Sequence, residues 1–355
     1  MFRAAFFALA LLTAGCTAAP GFAQGVAGGR GSAPGSFAPL VKRVVPAVVN
    51  ISVIEQGTSP ASNDVRDRVR GRKEAVLGAG SGFIVDPSGI IVTNTHVVGR
   101  SNRITVTLAD GTELAAQLIG SDELTDIAVI SVKSPKPLPY VQWGDSKVVE
   151  VGDWILAAGN PFGVGISVTA GIVSARGRDI GAGPFDDFLQ IDAPINPGNS
   201  GGPTFNMEGQ VIAVNTAIVS PTGGSVGIGF AVPSEMAAKI VNDLRDKGRI
   251  ERGWLGVSVQ DVTSRNPRVP GGLGSTGPGV SIANIDRSGP AAKAGLRTGD
   301  IVMAVNGDRV DTAQGLIKAV AAVAPGKAVQ LTVRRNGQNL EVAVTVGLRP
   351  AEQQG

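Results

Sequence analysis

The sequence predicts a mainly β protein, with two successive six-stranded barrels followed by a separate, smaller C-terminal module. Three observations carry that prediction. From Val48 to Val232 the chain falls into short runs rich in Val, Ile and Thr. Each run ends in a turn signal such as Asp86-Pro87-Ser88-Gly89 or Asp110-Gly111. Strands recurring about every 8–12 residues mark a barrel or sandwich. Composition agrees: 50 glycines supply tight turns, and aromatic residues make up only 4% of the chain. Finally, the pattern turns helical at Pro233 and restarts at Arg252, and 355 residues suffice for two domains of ordinary size, or three small ones, with ample chain to bury a core.

Taken in order, residues 1–23 read as an export signal. Arg3 supplies the positive charge, and Ala4 to Ala14 form an apolar stretch too short to span a bilayer. Two processing sites fit. Ala14-Gly15-Cys16 is like a lipobox that would place a lipid anchor on Cys16, although Thr13 stands where Leu is usual. Gly21-Phe22-Ala23 suits ordinary cleavage before Gln24. Residues 24–36 are rich in Gly, Ala, Ser and Pro and have nothing to bury, so they read as a flexible tether. The first domain is expected over 37–250. It opens with a helix carrying Leu40, Val41, Val44 and Val45, then a strand over Val48–Ile54 and a charged, solvated loop over about Gln56–Glu74.

Further strands are expected at Ser81–Val85, Ile90–Thr93, Ile104–Leu108, Glu113–Gly120 and Ile127–Val132. A second set lies at Trp154–Ala158, Val168–Ser174, Leu189–Ile191, around Thr204, at Val211–Thr216 and at Gly229–Val232. A closing helix is capped by Ser234, shows its apolar stripe at Met236, Ile240, Val241 and Leu244, and stops at Gly248. The second module covers 251–349, with strands Val329–Val333 and Leu340–Val346 around an Asn336-Gly337 turn, and 350–355 form a tail.

His96 is the only histidine. A hydrolase of the Ser-His-Asp type needs one imidazole to take the serine proton, and here there is no choice to make. His96 lies in Thr93-Asn94-Thr95-His96-Val97-Val98, Asp126 in Thr125-Asp126-Ile127-Ala128-Val129, and Ser200 in Gly198-Asn199-Ser200-Gly201-Gly202-Pro203. The order His, Asp, Ser is that of double-barrel proteases, whereas other hydrolase folds permute it. Asp126 is preferred to Asp122 because it directly precedes the buried run Ile127–Ile130. A net charge of +3 without a Lys/Arg run gives no nucleic-acid track. Neither a Walker motif nor a Cys/His cluster is present, so no cofactor or metal is expected, and with a single cysteine the mature domain has no disulfide.

Together with Gly80-Ser81-Gly82-Phe83-Ile84, Gly159-Asn160-Pro161-Phe162-Gly163, Gly227-Ile228-Gly229-Phe230-Ala231 and Arg252-Gly253-Trp254-Leu255-Gly256-Val257, these motifs closely resemble the HtrA (Deg) serine proteases from about Phe37 to Arg349. The resemblance implies a chymotrypsin-like double β-barrel followed by a PDZ domain. It implies Ser200 as nucleophile, His96 as base and then acid, Asp126 as the residue that orients it, and backbone N–H groups of Gly198, Asn199 and Ser200 as the oxyanion hole.

Pro194 stands where trypsin-like pockets carry an acid, so Ile195, Ile218 and Ile228 are expected to wall a small apolar specificity pocket. In the PDZ module Trp254, Leu255 and Gly256 would hold a peptide's C-terminal carboxylate, with Arg252 in support. The function implied is ATP-independent degradation of misfolded exported proteins in the periplasm, by homotrimers or multiples of trimers with Phe37 near the contact. A narrow regulatory protease, or a chaperone or scaffold with minor proteolysis, are the alternatives.

Overall fold

The computed structural model describes residues 35–54, 76–99, 101, 103–161, 164–262 and 279–350. The export signal with Cys16, nearly all of the tether, the charged run over 56–74 and the tail beyond Pro350 lie outside the described residues. Both barrels and the C-terminal module belong to one compact unit that begins at Ser36.

Helix α1 (Ala38–Val44) carries Pro39 in its first turn and turns Val44 inward. The first barrel follows, built from β1 (Val48–Ile54), β2 (Val76–Asp86), β3 (Ile90–Asn94), β4 (Arg103–Thr107), β5 (Glu113–Asp122) and β6 (Ile127–Val132). Its strands close in the order β1-β2-β3-β6-β5-β4, all antiparallel. The second uses β7 (Trp154–Gly159), β8 (Ser167–Arg178), β9 (Phe188–Ile191), β10 (Pro203–Phe205), β11 (Val211–Ile218) and β12 (Gly229–Pro233). Read from β7, it closes as β7-β8-β9-β12-β11-β10, the same path repeated. Closure removes free strand edges and gives each barrel an inner apolar face.

The two barrels share one apolar interface. Val48, Phe83 and Val92 of the first meet Leu156, Phe205, Val214 and Phe230 of the second, all buried. Helix α3 (Ser234–Lys247) lays Ala237, Ile240, Val241 and Leu244 onto the same interface and ends on left-handed Gly248. That end rests on β5 at Gly120, where a side chain would come within 2.6 Å of the Gly248 carbonyl. Ser234, expected to cap this helix, is instead its first helical residue. The Ser234 hydroxyl donates to the Gly144 carbonyl (2.6 Å) and accepts from Ser146 N–H (3.1 Å). The inter-barrel connection, where Ser146 is buried, takes the hydroxyl from the helix end.

The C-terminal module has its own core around Val280, Ile282, Leu316, Val329, Leu331 and Val344. β13 (Gly253–Trp254) pairs with β20 (Gly347–Leu348). The main sheet runs β14 (Val257–Asp261), β15 (Val280–Ile285), β16 (Ile301–Val305), β18 (Ala328–Arg335), β19 (Gln338–Thr345), with β17 (Asp308–Arg309) on β16. Asn336 and Gly337 turn the β18–β19 hairpin at φ of 50° and 82°, as a two-residue hairpin loop requires. Helices α4 (Pro290–Lys293) and α5 (Ala313–Ala321) complete it, and the Thr312 hydroxyl caps α5 by accepting from Gly315 N–H at 3.0 Å. Asp300, buried under this sheet, grips Arg335 through both oxygens at 2.7 Å and raises the Arg335 pKa.

Candidate active site

His96 sits on the single-turn helix α2 (Thr95–Val98) at the end of β3. Its Nδ1 lies 2.6 Å from Asp126 Oδ2. A carboxylate only accepts, so Nδ1 carries the proton and Nε2 is left as the acceptor. Asp126 closes the four-residue loop between β5 and β6 and takes a left-handed backbone, φ 57°, which a β-carbon makes costly. Its surroundings hold it there. The Asp126 carbonyl accepts from Thr95 N–H (3.1 Å) and from Asn94 Nδ2 (2.7 Å), and Oδ1 accepts from His96 N–H (3.0 Å). Asn94, wholly buried, also donates to the Thr216 hydroxyl of the second barrel at 3.2 Å. Nothing in the spacing of the sequence signals that role for Asn94.

Ser200 lies on the loop between β9 and β10, anchored through Ser81 of β2. Ser81 N–H donates to the Ser200 carbonyl (2.8 Å), and its hydroxyl donates to the Gly198 carbonyl (2.6 Å) while accepting from Asn160 N–H (2.8 Å). A side chain at Gly80 would reach within 2.6 Å of Val97 and 3.2 Å of the Ser200 carbonyl, so one glycine separates the His96 helix from the serine loop. Among the described residues no hydrogen bond joins Ser200 to His96. Such contacts commonly tighten only with substrate in place.

Of the three N–H groups expected in the oxyanion hole, that of Asn199 is committed to the Asn196 carbonyl at 3.0 Å. This bond closes a local turn, so Asn199 drops out of the expected set. The amides of Gly198 and Ser200 carry no bond among the described residues, and Gly198, at φ 101°, adopts angles that favour glycine.

The three expected pocket isoleucines do not converge. Ile195 packs in the inner cluster of the second barrel and Ile218 packs against it. Ile228 instead packs with Phe230 on the inter-barrel core. The cause is strand alternation: Ile218 pairs with Gly229, whereas Ile228 falls on the face of Phe230. A separate cavity of about 320 Å³ adjoins His96 and Asp126 and is walled in part by Phe185, Asp186, Phe188 and Met236.

Arg252, expected at the peptide carboxylate, is elsewhere. Its guanidinium forms a bidentate pair with Asp122 (2.6 and 2.7 Å) and lies 4.5 Å over the Phe185 ring. Thr125 also donates its hydroxyl to Asp122. A planar fork facing a buried carboxylate beside an aromatic face is a better site for it than a half-open groove. The two aspartates flanking the β5–β6 loop thus point to different partners, Asp126 to His96 and Asp122 to Arg252.

Beyond Arg252, the carbonyls of Leu255 and Gly256 accept from Ala291 N–H (2.9 Å) and Asp286 N–H (2.8 Å). Their own N–H groups are uncommitted among the described residues, and Gly256 has φ 76°. Successive outward amides around a left-handed residue form an anion-binding concavity. Ser288, through its N–H and then its hydroxyl, holds the Asp286 carboxyl below the usual carboxylate range and braces this turn. The loop opens on a groove of about 200 Å³ between β14 and α5, walled by Val259, Leu316 and Val320 and met by Arg349 and by Pro184 of the second barrel. The loop carrying Pro184 is tied to α5, since Lys318 Nζ donates to the Asp186 carbonyl (2.6 Å) and Gln314 to Asp179 (3.2 Å).

Residues 80–214 match the family model described as a trypsin-like peptidase domain, and residues 235–346 match that of the PDZ domain. The chain is 44% identical over 356 residues to the probable periplasmic serine endoprotease DegP-like of Brucella suis biovar 1 (strain 1330), covering 88% of this chain and 69% of that protein. To the protein of the same description in Rhizobium meliloti (strain 1021) it is 46% identical over 302 residues, or 83% and 59% of the two chains. Among solved structures, HtrA-type protease AlgW with a decapeptide superposes with a TM-score of 0.78 at 39% identity, over 89% of this chain and 99% of that one. The serine endoprotease from Yersinia pestis gives 0.71 at 33%, over 90% and 100%. Such identity, along most of the chain and over the same two barrels and C-terminal module, makes this protein a member of the HtrA-type, DegP-like family of serine endoproteases.

Proposed function

We propose that Ser200 is the nucleophile of this endoprotease. Its Oγ attacks the scissile carbonyl while His96 Nε2 takes the proton and later returns it to the leaving amine. Asp126 keeps Nδ1 protonated and stabilises the imidazolium. The developing oxyanion is received by the amides of Gly198 and Ser200, a donor pair of which each member contributes on the order of 3 kcal/mol to the transition state. The observation that carries this reading is the 2.6 Å His96–Asp126 contact in the molecule's only imidazole, one glycine away from a serine loop with two uncommitted amides.

The substrates proposed are unfolded or damaged polypeptides, cut after small aliphatic residues by a pocket bounded by Ile195 and Ile218. Pro194 at the acid's usual place and the absence of a side chain on Gly229 beside Ile195 support a small apolar pocket. The groove beside Leu255 and Gly256 binds peptides through a free C-terminus. Export to the periplasm is supported by residues 1–23 and by relatives named periplasmic. Mass spectrometry of the mature chain distinguishes a lipid on Cys16 from cleavage before Gln24. A homotrimer is proposed as the assembly, with Phe37, whose ring lies 5.8 Å from that of Trp154, near the contact. Casein hydrolysis with and without an apolar C-terminal peptide tests the function; a chain that binds casein but never cuts it would be a scaffold.

A further inference from the structure

Ser81, on β2 of the first barrel, reaches the serine loop of the second through backbone and side chain alike. Its N–H donates to the Ser200 carbonyl at 2.8 Å, and its hydroxyl donates to the Gly198 carbonyl at 2.6 Å. These bonds fall on alternate peptide planes. The plane between Ser200 and Gly201 is fixed at both ends, since Gly201 N–H donates to the Asn215 carbonyl at 2.8 Å. The plane between Gly198 and Asn199 is fixed likewise, by Ser81 at its carbonyl and by the Asn196 carbonyl at its N–H. Between these two lies the plane that carries the Ser200 N–H, and its Asn199 carbonyl is turned inward to Gly202 N–H at 3.0 Å. The Gly198 N–H has no such support. The Pro197 carbonyl of its own plane accepts no hydrogen bond among the described residues, and Gly198, at φ 101°, has no β-carbon to limit its rotation. Its orientation therefore depends on the next plane. Asn196 belongs to the loop itself, so the Ser81 hydroxyl is what ties that plane to the first barrel. The hydroxyl is enclosed: Ser81 is fully buried, Asn160 N–H donates to it at 2.8 Å, and a side chain at Gly159 would come within 2.9 Å of it.

We infer that Ser81 is a positioning residue of the endoprotease: its hydroxyl, through the Gly198 carbonyl, aims the Gly198 amide at the developing oxyanion. The inference rests on the reading of Gly198 and Ser200 as oxyanion donors given above. Being wholly buried, Ser81 does not touch substrate. Its effect falls on the tetrahedral state, because the donors of an oxyanion hole are aimed at the charge that develops there and bind the ground-state carbonyl less tightly.

The test compares the full chain with its Ser81→Ala variant. A fluorogenic peptide that reproduces a casein segment cut by the parent measures turnover. The peptide boronic acid ending at the cut residue serves as a mimic of the tetrahedral state. Ground-state affinity for the uncut peptide is titrated after adding Ser200→Ala to both proteins. Ser81→Ala should lower kcat and weaken the boronate in parallel, each by roughly 10–100-fold, part of the 10²–10³-fold that loss of a whole oxyanion donor costs. The affinity for the uncut peptide should stay within about twofold. Ser81→Cys, with a weaker donor in the same place, should fall between the two, and it replaces Ser81→Ala should that variant not fold. Unchanged boronate affinity in Ser81→Ala would overturn the inference. So would equal losses for boronate and uncut peptide, which would mean that Ser81 only shapes the cleft. A parent that the boronate does not inhibit would sink the Ser200 reading itself, an outcome distinct from failure of Ser81 alone.

Discussion

Asp122→Ala should be far more damaging than its position outside the catalytic set suggests. The Asp122 and Arg252 side chains are 6% and 9% exposed, so the pair is desolvated on both sides. Removing one member of such a pair strands the other charge and costs about 3–5 kcal/mol. The lost Thr125 hydroxyl bond adds about 1 kcal/mol. An exposed pair such as Arg245–Asp246, at 46% and 58%, provides the contrast, worth about 0–1 kcal/mol. For a domain of this size about 2–4 °C of Tm accompanies each kcal/mol, so a total of about 4–6 kcal/mol should appear in differential scanning calorimetry as a fall of roughly 8–24 °C. Adding Arg252→Met, which removes the stranded charge and keeps the stem's packing, should recover most of it. A cost below about 1 kcal/mol for Asp122→Ala alone would refute this. A double variant no more stable than the single one would do the same.

Ser200→Ala should abolish casein hydrolysis and leave the melting temperature within about 2 °C, because only a hydroxyl is lost; cleavage within tenfold of the parent would contradict the nucleophile assignment. Asn94→Ala withdraws a donor from the strained Asp126 carbonyl, and kcat should fall about tenfold with KM little changed. Gly201→Ala would place a β-carbon against the Ser81 carbonyl and Thr93 hydroxyl at a φ of 81°, so the unfolding free energy measured in urea should drop by about 2–5 kcal/mol. Since the Asp286 carboxyl is depressed by Ser288, its bracing of the Gly256 turn is present above the ordinary carboxylate range and lost as pH falls through the depressed value. The protection factor of the Ser288 amide against hydrogen exchange should therefore fall as pH drops through that step in the parent and be insensitive to it in Asp286→Ala.

Elements with a strong local signature are legible in the sequence itself. The β-branched runs Val48–Ile54 and Ile127–Val132 are strands with those same ends, and Gly248 does end its helix. Asp126, preferred over Asp122 for its place before a buried run, is the carboxylate that meets His96. What escapes is what depends on distant pairing. Arg252 and Asp122 lie 130 residues apart, and Ser81 and Gly198 are separated by 117. No periodicity relates such partners. Ile228 is misplaced by sequence reasoning because a one-residue step along a strand exchanges faces, and the sequence does not show where β12 begins its pairing. Ser234 misleads because a serine before a helix has two possible clients, and the competing inter-barrel connection leaves no local trace.

One short loop walls both cavities: Pro184 meets the peptide groove, while its neighbours Phe185 and Asp186 border the cavity beside His96. Two chambers with a common partition obey a reciprocity. Whatever factor a peptide in the groove applies to substrate affinity, substrate must apply to that peptide, because both routes to the doubly occupied protein cost the same free energy. A substrate-mimicking inhibitor sealed onto Ser200 should thus report on the groove as faithfully as the groove's own ligand reports on the protease.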